Sequence, residues 1–372
     1  MIIMALDHTR DMFHIGAMTS NPLAPDTTTP ALYFTRWITH LCAPNFVLLS
    51  GLSAFLSSQK KNSAEASLFL INRGIWLIFV EVVIVTFGLT FDPLFRFIIL
   101  QVIWAIGWSM ILLAIARQLN VKWVLAIGLI LVLGHDLLDY ANLPKQGTMS
   151  DVIKVLFTAF NNIIPINSTH IIGAFYAILP WTGVMFIGYA IGYWFTKEYP
   201  AEKRKRNLLV TGLSMISLFI ILRFINKYGD PSPRVELGNW RSFLSFMNVS
   251  KYPPSLLYCC ATIGPALVFL SLAESIKAKW SQVVSVYGRV PFFYYILHFY
   301  ILHSLLTMIF LIKGYSFDRM KETFIFFRPV NFGYNIIITY IIWLSVVAVL
   351  YFPCRWFYKY KTSHKQWWLS YL

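Results

Sequence analysis

The chain has 372 residues, 58% hydrophobic and 17% aromatic but only 13% charged, and its 31 Lys and Arg against 16 Asp and Glu give a net charge of +15. Soluble domains carry about 25% charged residues, so this composition excludes a water-soluble enzyme, a disordered chain and a disulfide scaffold. The positive charge sits mainly in short loops between apolar runs, as membrane topology requires, which excludes nucleic acid as a partner and implies membrane lipid.

A helix needs about 20 residues to cross the hydrocarbon core, and windows of that kind predict an all-α, polytopic transmembrane bundle. Residues 1–6 read as the last turns of a truncated first helix, cut short where Asp7, His8, Arg10 and Asp11 arrive. Nine full spans follow, at 38–57, 73–91, 97–116, 122–139, 171–195, 208–226, 253–273, 289–312 and 334–353, so about ten helices in all. A secretory signal, with a basic start, an apolar stretch and a small-residue cleavage site, is missing from the sequence. With no 20 to 50 residue repeat and no matching pair of interrupted helices, residues 1–372 are expected to form a single integral membrane domain.

Alternating the loops puts sixteen Lys and Arg against four acids on one side, while the other side is closer to balance and has the longer loops, rich in Pro, Asn, Asp and Gly. The first set is assigned to the cytoplasm, with the C-terminus inside. The segments 197–206 and 354–368 place basic residues beside aromatics at that face, where they serve as anchors on anionic lipid. Cys42, Cys259, Cys260 and Cys354 lie in or beside apolar helices without metal-ligand spacing and read as small buried hydrophobes; no metal site is expected.

Ionisable side chains are costly in a bilayer, so a cluster of them is a functional hypothesis. The densest is at the start, in ALDHTRDMFH: helical spacing puts Asp7, Arg10, Asp11 and His14 on one face, and Asp11 stands at i+3 from His8, suited to orient an imidazole as a general base. The competing reading is a salt-bridged helix end with Arg10 tied to Asp7 or Asp11. In TTTPALYFTRWITHLCAPNF, Arg36 and His40 are i, i+4 neighbours meeting the first cluster from a second helix, and Pro44 is expected to kink that helix. His298 and His303 in FFYYILHFYILH are weaker candidates that point about 140° apart. On the inner half, Arg73 is read as opening one helix, with Glu81 two turns deeper, and Arg289 as opening another; both suit phosphate binding and both suit topological anchoring.

The stretches MALDHTRDMFH, TTPALYFTRWITHLCAPNFVLLSGLSAFL, INRGIWLIFVE, LPWTGVMFIGYAIG, KYPPSLLYCCATIGPAL and YGRVPFFYYILH resemble the bacterial relatives of heparan-alpha-glucosaminide N-acetyltransferase, in order and over nearly the whole chain. The resemblance implies a membrane acyltransferase of the bacterial inner membrane. It would take an acetyl group from cytoplasmic acetyl-CoA, and a histidine near the opposite face would serve as base or acetyl carrier for transfer to a sugar or glycan amine or hydroxyl. Asp7 and His8 fall where the lysosomal enzyme has an active-site Asn, and His40 where it has an Asp before a similar proline. Family members usually begin with an R-x-x-S-I-D-x-L-R-G type segment, which does not appear here, so the chain is expected to start partway into its first helix.

These readings combine into one expectation. His8 or His40 is the base, Asp7 and Asp11 orient it, Arg10, His14 and Arg36 bind the acceptor, and Arg73 and Arg289 contact coenzyme A. The rival is a proton-coupled transporter or permease for a sugar or sugar-lipid that uses the same cluster. Acceptor identity and assembly into a homo-oligomer are left open by the sequence.

Overall fold

The computed structural model describes residues 1–159, 163–276, 278–320 and 328–371. In chain order the helices are α1 (Ile2–Phe13), α2 (Pro30–Thr39), α3 (Cys42–Ser58), α4 (Ser63–Phe79), α5 (Thr86–Thr90), α6 (Val102–Ala116), α7 (Val121–Gly134), α8 (Thr148–Ile153), α9 (Ile178–Ile191), α10 (Ala201–Ile225), α11 (Asn239–Met247), α12 (Leu256–Ala273), α13 (Lys279–Arg289), α14 (Pro291–Ile312), α15 (Phe317–Met320) and α16 (Ile336–Ser363). A π-helical segment, Val80–Val85, joins α4 to α5. Three short strands, β1 (Phe97–Leu100), β2 (Ile163–Pro165) and β3 (Ile171–Ala174), form one sheet in the order β1-β3-β2, with β2 and β3 antiparallel and Ile164 opposite Ile172.

Among the described residues, eight helical stretches are long and apolar enough to cross a membrane: Pro30–Ser58, Ser63–Thr90, Val121–Tyr140, Ile178–Phe195, Ala201–Ile225, Leu256–Ala273, Pro291–Ile312 and Ile336–Ser363. An all-α polytopic bundle is therefore what the chain forms. The window at 97–116 differs from expectation, because its first residues are strand β1 and α6 is only 15 residues long. The window at 171–195 likewise opens on strand β3 before α9 begins. The break expected at Pro44 lies just before it: α2 ends at Thr39, His40 caps it, and α3 starts at Cys42 with Pro44 in its first turn, where a missing N–H costs nothing.

Contacts divide the chain into two compact units. The first comprises Met1–Cys42, Val83–Ile98 and Ile276–Leu372; the second comprises Ala43–Val82 and Ile99–Ser275.

The second unit is packed backbone to backbone through glycine. Gly74 of α4 meets Gly107 of α6, Gly128 of α7 meets Gly183 of α9, and Gly212 of α10 meets Gly264 of α12; a Cβ on any of them would come within about 3 Å of the partner's carbonyl. Where α3 crosses α9 the approach is closest, since a Cβ on Gly51 would sit 2.0 Å from the Met185 carbonyl oxygen and one on Gly188 2.0 Å from that of Leu48. Lipid offers helices little hydrophobic drive to associate, so close approach of small residues carries the packing. Polar ends are tied down locally. Arg223, fully buried near the end of α10, donates to the carbonyls of Ser232, Ser245, Phe246 and Asn248. Asp230 accepts from the Ser250 amide at 2.7 Å and the Ser255 hydroxyl at 2.6 Å; burial holds its carboxyl above the usual range against these hydrogen bonds.

In the first unit, α1 packs against α2, α14 and α16, and the Trp343 indole of α16 donates to the Ile2 carbonyl at 2.9 Å. The helix expected to fade after residue 6 continues to Phe13, carrying its charged residues within it. Those charges are paired within the helix and with Arg36 of α2, so the helix has no need to end where they begin.

Candidate functional site

The charged residues of α1 point into the first unit. Asp7 and Arg10 are 8% and 4% exposed, and Thr9 closes its hydroxyl onto the Ala5 carbonyl at 2.7 Å. Opposite them, α2 is fixed at its start by Thr29, whose hydroxyl accepts the Leu32 amide, and by Pro30 at the first helical position. Its register delivers Arg36 to Asp7, with one terminal guanidinium nitrogen 2.7 and 2.6 Å from the two carboxylate oxygens and 3.1 Å from Thr39 Oγ1. Arg10 donates to Asp7 at 3.3 Å and to Asp11 at 2.5 Å. Two carboxylates and two guanidiniums thus form a charge-balanced cluster, in which Asp7 is shared by both arginines. The salt-bridged reading of the first cluster describes this geometry.

The histidines take different places. His8 is half-buried, its ring 5.2 Å from that of His298 and 4.5 Å from Phe299 on α14. His40 is almost completely buried at the end of α2. His14 has left the helix: its backbone is extended and its amide closes on the Arg10 carbonyl at 2.9 Å. Its Nδ1 accepts the Gly16 amide at 3.2 Å, and burial followed by the nearby Arg10 and Arg328 guanidiniums holds its pKa below the ordinary value, which keeps it neutral. His298 and His303 are both fully buried, but only His298 contacts His8 among the described ring pairs; His303 stacks on Phe91 at 3.8 Å and bonds the Gly88 carbonyl.

Sequence reasoning missed Arg328. Fully buried, it donates to the carbonyls of Met12 at 2.8 Å and Phe332 at 2.5 Å, with longer contacts to those of Asp11 and His14. It therefore collects the free carbonyls at the C-terminal end of α1, where a cation is also favoured by the helix dipole. Burial lowers its pKa to about 10, opposed by Asp11, so it remains charged at neutral pH. The segment around it pairs with α1 directly: Tyr334 N–H donates to the Phe13 carbonyl at 2.7 Å, and Ile15 N–H to the Tyr334 carbonyl at 3.0 Å. An Arg next to Pro in an apolar stretch, FFRPVNF, was the available signal.

The two arginines assigned to coenzyme A lie elsewhere. Arg73 does not open its helix: α4 begins at Ser63, capped by Asn62 and Glu65, which leaves Arg73 half-buried in mid-helix within the second unit. Arg289 is the last residue of α13 and not the first of α14, is exposed, and lies over the Tyr358 ring at 4.6 Å in the first unit. Val290 separates the two helices, and Pro291 opens α14, because proline cannot continue α13 but can begin a new helix.

Helices of membrane-spanning length and a buried cluster of opposite charges on the first helix define a polytopic membrane protein with an ionisable interior site. Residues 1–225 match the family described as heparan-alpha-glucosaminide N-acetyltransferase, catalytic, and the chain belongs to that family. The membership indicates a membrane acetyltransferase, and the matched region contains α1 and α2 with the whole Asp7, Arg10, Asp11 and Arg36 cluster. No curated protein and no solved structure matches the chain.

Proposed function

We propose that the protein transfers an acetyl group from cytoplasmic acetyl-CoA to an amine or hydroxyl of a sugar or glycan at the opposite membrane face. The observation that carries this reading is the coincidence of family membership with two imidazoles, His8 within α1 and His40 capping α2, on the same two helices as a charge-balanced cluster. His8 or His40 acts as general base, accepting the proton of the acceptor N–H or O–H as that atom attacks the thioester carbonyl; the thiolate of coenzyme A leaves. Imidazole suits the step because its pKa lies near neutrality. Asp7 and Asp11 act here by fixing Arg10 and Arg36, whose guanidiniums face developing negative charge and acceptor oxygens. His14, held neutral, contributes a polar rim where α1 ends.

For the acyl donor, Arg289 supports a phosphate contact, since it is exposed and has no carboxylate partner among the described residues. The orientation, with the C-terminus inside a bacterial inner membrane, rests on the loop charge count. The test is binding and turnover of radiolabelled acetyl-CoA by the full chain purified in detergent, with His8→Ala and His40→Ala alongside. Transfer or hydrolysis by the wild type, lost in one variant that still binds, is the expected result; a wild type that neither binds nor turns over acetyl-CoA refutes the reading.

A further inference from the structure

We propose that His298 is a positioning residue for His8: its Nε2 accepts the N–H of the His8 imidazole and thereby fixes which His8 nitrogen presents its lone pair to the acceptor. The consequence for catalysis rests on the acetyl-transfer reading above, whereas the pairing itself does not.

Three observations converge. First, His298 Nδ1 lies 3.3 Å from the Tyr294 carbonyl one turn back on α14, a contact that only an N–H can make, so the neutral ring carries its proton on Nδ1 and its lone pair on Nε2. Second, that Nε2 is buried with no hydrogen-bond partner among the described residues, in a side chain that is 0% exposed. A buried acceptor left unmatched is destabilising, and phenylalanine would fill the same space without that cost. Third, the His8 imidazole lies beside it, with ring centroids 5.2 Å apart and planes inclined by 46°. Two imidazoles whose centroids are 5.2 Å apart are close enough for one N–H···N hydrogen bond once the rings turn a nitrogen of each toward the other.

The surroundings favour the bond once formed. Phe299 lies against both rings, 4.5 Å from His8 and 4.2 Å from His298, and Tyr294 stacks on His298 at 5.8 Å. Water is kept from competing for the Nε2 lone pair. A second-partner hydrogen bond of this kind selects the tautomer and orientation of a catalytic imidazole, as a carboxylate or carbonyl does in other sites. Here the paired carboxylates of α1 are engaged by Arg10 and Arg36, and His298 takes that duty.

The experiment is nitrogen NMR of the full chain in detergent with its histidines labelled at the ring nitrogens, His8 and His298 being assigned through His8→Gln and His298→Gln. In the wild type at neutral pH we expect His8 in one neutral tautomer and His298 Nε2 at the position of a hydrogen-bonded acceptor. His298→Phe keeps the shape without the acceptor and should let His8 sample both tautomers; His298→Gln offers a carbonyl oxygen near Nε2 and should restore one. In parallel, acetyl transfer by His298→Phe should fall on the order of a hundredfold in kcat with KM unchanged, and His298→Gln should recover part of it. A wild-type Nε2 resonance at the free-acceptor position, or a His8 tautomer unaffected by His298→Phe, overturns the proposal whatever the activity, and the wild-type spectrum decides even if His298→Phe does not fold. A His8 tautomer fixed by His298 in a protein that transfers no acetyl group would refute acetyl transfer and leave the pairing standing.

Discussion

Asp7→Ala tests whether the carboxylates of α1 are there to hold arginines. Asp7 is shared by Arg36 and Arg10, and the side chains of Asp7 and Arg36 are only 11% and 14% exposed. At 2.6 Å and an effective dielectric of about 20, Coulomb's law gives roughly 6 kcal/mol for the Arg36–Asp7 attraction before desolvation is subtracted. Removing one partner of a buried pair strands the other, at a cost of about 3–5 kcal/mol. Arg10 retains Asp11, so the stranded charge is Arg36. We expect Asp7→Ala to lose about 3–5 kcal/mol of stability, Asp7→Asn less because its amide oxygen still accepts a hydrogen bond, and Asp7→Ala combined with Arg36→Met to be more stable than Asp7→Ala alone. Unfolding of the detergent-solubilised protein, followed by the fluorescence of its 13 Trp, measures all three together with Arg36→Met. A loss of about 1 kcal/mol or less in Asp7→Ala, or strict additivity in the double-mutant cycle, would show that the pair contributes little and that Asp7 is free for another role.

Arg328→Ala should leave the carbonyls of Met12 and Phe332 without their donor and cost on the order of 2–3 kcal/mol, read as faster amide exchange over residues 12–16 and 330–335; Arg328→Lys, lacking the fork, should recover only part. For His14 the folded pKa lies below the ordinary value of about 6.5, so the neutral ring is the form the fold prefers. Its contribution is complete above that ordinary value and is lost as pH falls through the folded pKa. Protonation also turns Nδ1 from acceptor of the Gly16 amide into a donor. Exchange at Gly16, corrected for its intrinsic pH dependence, should therefore accelerate as pH falls below about 6.5, and His14→Phe should abolish that change; an equal change in the variant would refute the assignment.

The sequence carried the bundle because apolar length is a local property: each window of about 20 residues reports itself, and the eight long spans fall where windows were drawn. It misplaced features whose cause lies far along the chain. The helix from Ser63 to Phe79 absorbed Arg73, which looked like a helix start, since the capping pair Asn62 and Glu65 lies ten residues earlier and the apolar signal begins only later. Glu81 had no visible partner nearby, yet its Oε1 accepts the Gln101 amide at 3.0 Å, with Ile103 and Trp104 amides adding to it, so its carboxyl group closes the open N-terminus of the short α6 from within the π-helical segment. The same limit explains Arg328 and Arg223. Counted by topology, a basic residue in an outer loop or at a span end is one unit of charge; folded, each becomes a five-donor fork saturating carbonyls that the chain leaves bare where helices end.

The candidate site was legible in part for the same physical reason. Asp7, Arg10, Asp11 and Arg36 stood out because charge inside apolar sequence is conspicuous, and close spacing let the pairing of Arg10 with Asp7 or Asp11 be read as the competing possibility, whereas the Arg36–Asp7 pair needed the fold. His298, 290 positions from His8, read in sequence only as one of two weaker candidates; the packing of α14 against α1 makes it a neighbour. Buried charges need partners within the protein, and the described arginines and carboxylates of α1 and α2 pair with one another. On the acetyl-transfer reading proposed above, the chemistry then falls to His8 and His40, whose imidazoles can exchange a proton near neutral pH while the Arg–Asp pairs stay intact.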